Sequence, residues 1–206
     1  MAISDIFDAI LAFDAEGVKK WTEAEIGAGT DLDTLLNQGM IAAMDEVGRR
    51  FSIGDLYVPE MLRAAQSMKA GLEILKPHLS SDSAQSRGTI IIGTVKGDLH
   101  DIGKNLVAMM MEGAGFKVID LGVNVEPGRF IQAVTDNQAQ LVALSALLST
   151  TMPAMETTIT AIKKSGIVVK SIIGGAPVTQ AFADKIGADG YSSDAPGAVE
   201  LARSLL

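Results

Sequence analysis

The sequence predicts two regions of different fold class: an all-α helical bundle followed by an α/β domain with a doubly wound, five-stranded parallel sheet. Apolar residues recur at three- and four-residue intervals up to about residue 78, which is the helical period. From residue 89 onwards, short runs rich in Val and Ile alternate with amphipathic stretches. Residues 80–88 are polar and small without periodicity, as in a linker. We therefore expect a helical domain at 1–79, a linker at 80–88 and an α/β domain at 89–206.

The N-terminal region has the apolar spacing of four or five helices. The first stripe runs from Ile3 to Leu11. The last helix has the clearest pattern, because Pro59 suits a first helical turn and apolar residues continue at helical spacing until Pro77. This region also holds most of the acidic excess, which we interpret as a solvated surface.

The C-terminal region alternates strands and helices. We expect strands at 89–95, 117–121, 141–145 and 168–173, with a weak fifth near 189–191. Helices are expected near 101–112, 127–137, 152–165, 178–186 and 195–205. Near-continuous apolar strands separated by helices indicate a parallel sheet that is covered on both faces. The number of strands predicts a flavodoxin-like, or Rossmann-like, order of 2-1-3-4-5.

Composition excludes several classes of function. The formal net charge of −8 argues against nucleic acid or an anionic membrane as the partner. No apolar run approaches the roughly 20 residues of a membrane span, and the first residues lack the basic start of a secretory signal, so we expect a cytoplasmic protein. The absence of Cys excludes disulfides, thiolate metal sites and a Cys nucleophile. Only two His residues remain, of which His78 is expected to lie at the surface.

The predicted topology directs attention to one edge of the sheet. In open parallel sheets, ligands bind beyond the carboxyl ends of the strands where the strand order reverses, here between strands 1 and 3. The loops expected there are 96–105, 145–151 and 174–177. The first loop has neither the G-x-G-x-x-G pattern of dinucleotide folds nor the P-loop pattern. Phosphate binding is therefore not its main role.

The first loop carries His100 two residues after Asp98. An imidazole that binds a metal through one nitrogen commonly donates a hydrogen bond from its other ring N–H to a carboxylate, so this pair suits a metal ligand and its partner. A simpler alternative is that His100 only caps the helix that follows.

The motifs of these loops resemble those of corrinoid-binding methyltransferase domains. The segment from Gly97 to Gly103 matches D-x-H-x-x-G, while Ser145-Ala146-Leu147 and Gly174-Gly175 match the S-x-L and G-G motifs downstream. The C-terminal half is similar to the cobalamin module of methionine synthase, and the N-terminal half to the helical cap that precedes it. Over the whole chain, the resemblance is to stand-alone corrinoid proteins of methylamine, methanol, betaine and methoxyaromatic methyltransferase systems.

The resemblance implies a role for the central residues. His100 would be the lower axial ligand of cobalt, in place of the cofactor's own base, and Asp98 would hold its other nitrogen. Thr151 matches a hydroxyl that joins this pair, although the run from Ser149 to Thr151 leaves open which hydroxyl does so. His100, Asp98 and Thr151 are thus the expected catalytic residues. Capping of the helix near Pro153 is the alternative for the hydroxyls.

The resemblance also implies a wider set of cofactor-binding positions. Gly174 and Gly175 would let the nucleotide tail of the cofactor pass close to the backbone, unless they merely form a tight turn. Phe51 and Val58 match cap residues that cover the upper face of the corrin, whereas Asn37 replaces an acidic family residue and is left out. The full expected set is Gly97, Asp98, Leu99, His100, Asp101, Gly103, Ser145, Leu147, Ser149, Thr151, Gly174, Gly175, Ala195, Phe51 and Val58.

The implied function is that of a methyl carrier, a corrinoid subunit rather than a complete enzyme. It would bind cobalamin or a related cobamide, with its partners a substrate:corrinoid methyltransferase, an acceptor methyltransferase that uses tetrahydrofolate or coenzyme M, and a reductive activase. A proton that reaches the Asp98–His100 pair would promote release of the ligand. A cobalamin-dependent sensor and a flavodoxin-like nucleotide binder are the alternatives. The first lacks an output module, and the second leaves the Asp98–His100 pair unexplained.

Overall fold

A computed structural model describes residues 2–78 and 87–206 of the chain. The described residues divide into two compact units, one formed by 2–78 with 113–115 and the other by 87–112 and 116–206. Most of the predicted linker, residues 80–86, lies outside the described residues.

The first unit is helical throughout. Side chains cap several of its helices: the Asp14 carboxylate accepts from the Gly17 amide at 2.9 Å, and the Glu60 carboxylate accepts from the Tyr57 amide at 2.7 Å. Pro59 occupies the first turn of its helix, as the sequence predicts. The helices are α1 (Ala2–Leu11), α2 (Ala15–Gly27), α3 (Leu32–Thr34), a π-helical segment (Leu35–Ile41), α4 (Ala42–Ser52), α5 (Val58–Leu75) and a 3-10 turn (Lys76–His78).

The π-helical segment is a feature that the sequence analysis did not predict. Within it the Ala42 amide donates to the Asn37 carbonyl, five residues back, so each turn holds one residue more than an α-turn. Leu35 and Met40, five residues apart, are both fully buried. The wider turn therefore keeps the apolar stripe on one side of a helix that continues from α3 into α4.

The second unit is a five-stranded parallel sheet with the order β2-β1-β3-β4-β5. This arrangement confirms the predicted fold class and strand order. The strands are β1 (Thr89–Thr94), β2 (Lys117–Asp120), β3 (Leu141–Ser145), β4 (Lys170–Gly174) and β5 (Gly190–Tyr191). The helices are α6 (Ile102–Gly113), α7 (Pro127–Asn137), α8 (Met152–Ser165), α9 (Gln180–Ile186) and α10 (Ala195–Leu205).

The central strands of this sheet are buried along most of their length, as parallel strands covered on both faces are. Phe130 of α7 is fully buried over β1, and a Cβ placed on Gly93 would lie 2.9 Å from its ring. Strand β4 begins two residues later than predicted. Val168 is 98% exposed because α8 ends in a left-handed turn at Gly166 and the chain has not yet entered the sheet.

In the ranges 2–78 and 87–206, no helix combines the length and the apolar character that crossing a membrane requires.

Candidate functional site

The candidate site lies at the carboxyl edge of the sheet, where the chain leaves β1 for one side and β3 for the other. The Val95 amide donates to the Ser145 carbonyl at 3.0 Å, and the Ala146 amide donates to the Gly174 carbonyl at 3.2 Å. These bonds extend the pairing of β1, β3 and β4 by one step beyond their ends. The three loops that the sequence analysis selected therefore start side by side.

The loop after β1 opens with a tight turn. The Asp98 amide donates to the Val95 carbonyl at 3.1 Å, and Gly97, the third residue of the turn, has a φ of +83°. Type II turns require such a positive φ at this position, which glycine adopts without a steric penalty. The turn directs the Asp98 side chain towards the loop after β3.

The Asp98 carboxylate is fully buried and accepts hydrogen bonds from two loops. One oxygen, Oδ1, accepts from the His100 amide at 3.0 Å and lies 2.8 Å from His100 Nδ1. The other oxygen, Oδ2, accepts from the Leu147 amide at 2.7 Å, the Leu148 amide at 3.3 Å and the Thr151 hydroxyl at 2.6 Å. A single carboxylate thus joins the loops after β1 and β3.

These donors keep Asp98 ionised. Burial by itself raises the pKa of Asp98, but hydrogen bonds from the Thr151 hydroxyl, the His100 and Leu147 amides and the His100 ring outweigh it and hold the pKa well below its ordinary value. An ionised carboxylate only accepts hydrogen bonds, so we assign the proton of a neutral imidazole to Nδ1. The lone pair of His100 then lies on Nε2.

The His100 ring is accessible although its partner is not. Its side chain is 50% exposed, against 0% for Asp98. Large apolar side chains are exposed on these two loops and at the start of α6: Leu99 and Ile102 by more than 70%, and Leu147 and Leu148 by 43% each. Exposed apolar residues that cluster in this way mark a binding surface. The arrangement offers one imidazole nitrogen within apolar surroundings.

Thr151 is the hydroxyl that reaches the Asp98–His100 pair. It is buried, whereas Ser149 and Thr150 are exposed. Its single proton has two acceptors, Asp98 Oδ2 at 2.6 Å and the Leu148 carbonyl at 2.8 Å, of which the charged one is favoured. Thr151 stands at the N-cap of α8 but makes no side-chain capping bond. Its side chain therefore serves the Asp98 network rather than the helix.

The Gly174-Gly175 pair is explained by contacts within the chain. Gly175 has a φ of +129°, and a Cβ there would lie 1.8 Å from the Ala146 carbonyl oxygen. A side chain at Gly174 would come to 3.1 Å from the Ser192 carbonyl. Gly175 is thus required by the close approach of the β3 and β4 loops.

The remaining expected residues are spread more widely. Ser145 ends β3, Gly103 lies in the first turn of α6, and Ala195 is the buried first residue of α10. Asp101 accepts from the Asn105 side chain at 3.0 Å rather than from His100. Phe51 and Val58 belong to the helical unit and are not among the residues that the Asp98 network brings together.

Thr94 is a residue of the site that the sequence analysis missed. It is fully buried at the end of β1, and its hydroxyl donates to the His100 carbonyl at 2.9 Å. It therefore fixes the main chain of His100, as Asp98 fixes the ring. A Thr directly after the apolar run of β1 is the signal that could have revealed it.

The side chains fit a metal that a macrocycle already holds. Within the described ranges, no group of three or more His, Cys, Asp or Glu residues is placed to hold a metal ion. A bare ion needs several protein ligands, whereas a metal that a macrocycle already holds would need as few as one ligand from the protein. His100, whose side chain is half exposed and whose Nδ1 faces Asp98, would suit such a group.

These features define a flavodoxin-like domain with a histidine–carboxylate pair at the switch point of its sheet. Family models described as "B12 binding domain" match residues 88–200 and, separately, residues 2–76. The chain belongs to this B12-binding family of corrinoid proteins. It is 43% identical to trimethylamine corrinoid protein 2 of Methanosarcina mazei, over 97% of this chain and 93% of the relative. It is 44% identical to dimethylamine corrinoid protein 1 of Methanosarcina acetivorans, over 85% and 84%.

Solved structures agree with these relatives. A chain of the methanol:cobalamin methyltransferase complex of Methanosarcina barkeri matches with a TM-score of 0.89 and 29% identity, over 98% of this chain and 78% of that one. The predictions of a corrinoid cofactor and of a methyl-carrying corrinoid protein with a methyltransferase partner are confirmed at the level of the family.

The Asp98 network predicts a specific cost for loss of the Thr151 donor. Thr151→Val keeps the side-chain shape but leaves a buried carboxylate with one donor fewer, which should lower the free energy of unfolding by about 1–3 kcal/mol. Thr151→Ser keeps the hydroxyl and should cost about 0.8 kcal/mol or less. Exchange of the slowest amides of β1 and β3 measures both values in the α/β unit. Equal losses in the two variants would contradict the role of the hydroxyl.

Proposed function

We propose that this chain is the cytoplasmic corrinoid carrier of a methylamine methyltransferase system and that His100 is the lower axial ligand of its cobalt. The observation that carries the proposal is the Asp98–His100 contact of 2.8 Å at the switch point of the sheet. It explains why a corrinoid protein of this family has one accessible imidazole with a buried carboxylate behind it.

The proposed contacts to the cofactor come from the same edge. His100 would hold the cobalt, while the exposed Leu99 side chain would provide apolar surface beside it. Gly174, Gly175, Ser145 and Leu147 would line the slot for the nucleotide tail. The openness around Gly103, where a Cβ would meet nothing within 4 Å, supports close approach there. The assignment of Phe51 and Val58 rests on the resemblance alone.

The residues of this chain prepare the imidazole for its role. When bound, the corrinoid supplies a cobalt atom that accepts a methyl group from one protein and releases it to another. Asp98 keeps the ring proton on Nδ1 and makes Nε2 a stronger donor to a metal. Thr151 and the Leu147 amide hold the carboxylate in place. A proton delivered to the Asp98–His100 pair would weaken this donation and favour release of the ligand.

The relatives support a methylated amine as the source of the methyl group. Those at 43% and 44% identity are named for trimethylamine and dimethylamine, whereas the chain of the methanol complex is 29% identical. We therefore propose an amine:corrinoid methyltransferase as the donor partner. An acceptor methyltransferase that uses tetrahydrofolate or coenzyme M and a reductive activase complete the proposed set of partners.

Replacement of His100 tests the axial ligand directly. After anaerobic reconstitution with hydroxocobalamin and reduction to paramagnetic cobalt(II), wild-type protein should show an axial nitrogen whose EPR splitting changes when histidine carries ¹⁵N. His100→Ala should lose this isotope effect. His78→Ala, which removes the other His of the chain from an exposed 3-10 turn, should retain it. Wild-type protein without the isotope effect would rule out His100 as the ligand.

Replacement of Asp98 tests whether the carboxylate tunes the ligand. Asp98→Asn removes the charge behind the imidazole and should weaken histidine coordination by about 10–100-fold, as loss of an outer-shell partner commonly does. The ratio of histidine to benzimidazole nitrogen in the EPR spectrum measures the change. Asp189→Asn makes the same chemical change in a carboxylate that bonds Ser171 near the amino end of β4, and should leave the ratio unchanged. Unaltered cobalt potentials and methyl-transfer rates in Asp98→Asn would exclude a tuning role.

Transfer assays test the donor. Reconstituted and reduced protein is mixed with purified trimethylamine, dimethylamine or methanol methyltransferase and the corresponding substrate, and methylation is followed by absorption spectroscopy. We expect wild-type protein to be methylated by an amine enzyme. His100→Ala should be methylated much more slowly by the same enzyme. Methylation by the methanol enzyme alone would overturn the proposed donor while leaving the corrinoid function intact.

A further inference from the structure

The loop after β2 contacts the His100 loop from the side away from β3. Strands β2 and β3 flank β1, so the loops that follow them approach the end of β1 from opposite sides. The β3 side provides the donors to the Asp98 side chain. The β2 side contacts main-chain atoms of the same loop, through residues that no step above uses.

Asn124 makes two bonds to this loop. Its amide donates to the Asp98 carbonyl at 2.9 Å, and its side-chain Oδ1 accepts from the Gly97 amide at 2.8 Å. The Gly97 amide and the Asp98 carbonyl are thus both hydrogen-bonded to Asn124. Asn124 is itself exposed, and the next residue, Val125, pairs with β1 through the Thr94 carbonyl at 3.0 Å.

The backbone of Asn124 is suited to this double contact. Its φ of +53° lies in the left-handed region, which Asn and Asp enter more readily than other non-glycine residues. This conformation turns the amide and the side chain towards the same neighbour. A residue that served only to turn the chain after β2 would not need a side-chain hydrogen bond to the Gly97 amide.

An ion pair with a buried lysine connects the end of β2 to α6. The Lys104 side chain is 1% exposed and pairs with Asp120, whose other oxygen accepts from the Gly122 amide at 2.8 Å. Lys104 also donates to Asn105 at 2.6 Å. Because α6 begins two residues after His100, the β2 loop is bonded to the chain both before and after the histidine.

We propose that the loop Asp120–Asn124 is a positioning element for His100, in which Asn124 holds the Gly97–Asp98 turn and the Lys104–Asp120 pair holds the start of α6. The inference rests on the proposed role of His100 as axial ligand. Asp98 can fix the direction of the imidazole only if the main chain of Asp98 is itself held in place. A ligand must stay close to its productive position, and small displacements weaken coordination.

Three substitutions at Asn124 separate its side chain from its backbone. Asn124→Asp keeps an acceptor and tolerates the left-handed conformation, Asn124→Gly keeps the conformation but loses the acceptor, and Asn124→Ala loses both. In protein without cofactor, Gly97 amide exchange should be faster by about three- to tenfold in the Gly and Ala variants and close to wild type in the Asp variant. The exchange is followed by NMR.

The second readout is histidine coordination in protein loaded with hydroxocobalamin and reduced to cobalt(II). The ratio of ¹⁵N-histidine to benzimidazole coordination should fall by about three- to tenfold in Asn124→Gly and Asn124→Ala, and remain near wild type in Asn124→Asp. Lys104→Met should lower the same ratio. Asp189→Asn is the control for a general loss of stability, because it alters partly buried bonds to Ser171 without touching the loop.

The outcomes distinguish this inference from the proposed function. Wild-type Gly97 exchange and histidine coordination in Asn124→Gly would overturn the positioning role of the Asn124 side chain. A change in Asn124→Ala alone would also overturn it, because it would indicate backbone strain. If histidine coordination fell equally in Asp189→Asn and Asn124→Gly, a general loss of stability would explain the effect, and the positioning role would be overturned. Wild-type protein without histidine coordination would instead refute the role of His100, and Gly97 exchange would still report on the contact with Asn124.

Discussion

The Asp98 carboxylate connects parts of the chain that lie up to 53 residues apart in sequence, and the candidate site depends on it. Removing a carboxylate from water is costly unless its oxygens receive hydrogen bonds. Amides and a hydroxyl provide most of them here. Among the described residues no Lys or Arg pairs with Asp98, so its negative charge acts on the His100 ring rather than on a cation of the protein.

The topology explains why such a network forms at this place. The chain leaves β1 and β3 towards opposite sides, so the loops that follow these strands start next to each other. Strand pairing ends one step beyond the strands, with the Val95 and Ala146 amides. The Leu147 and Leu148 amides therefore point at a neighbouring loop rather than at another strand. Close approach of the β4 loop at Gly175 limits how far the Ala146 backbone can move. The sheet therefore fixes the Asp98 carboxylate relative to the amides that donate hydrogen bonds to it.

Much of the fold follows from local patterns, and the differences have local causes. The apolar runs of the strands and the helical stripe of α5 were sufficient to predict the order of elements. Strand β4 was predicted two residues early because Val168 and Val169 favour strands, although strand pairing starts only at Lys170. The π-helical segment was missed because a five-residue spacing such as that from Leu35 to Met40 satisfies no α-helical template.

The site was predictable only where its chemistry resides in side chains close in sequence. Asp98 and His100 are two residues apart, so a motif reveals them. Their other partners include main-chain amides, which every residue except Pro carries and which a sequence motif therefore cannot reveal. The remaining partner, Thr151, is one of three consecutive hydroxyl residues. Asn124 was overlooked for a related reason: an Asn after a strand is ordinary turn chemistry. Its particular value comes from a left-handed φ and from pairing beside β1, both of which are set by tertiary structure rather than by local sequence.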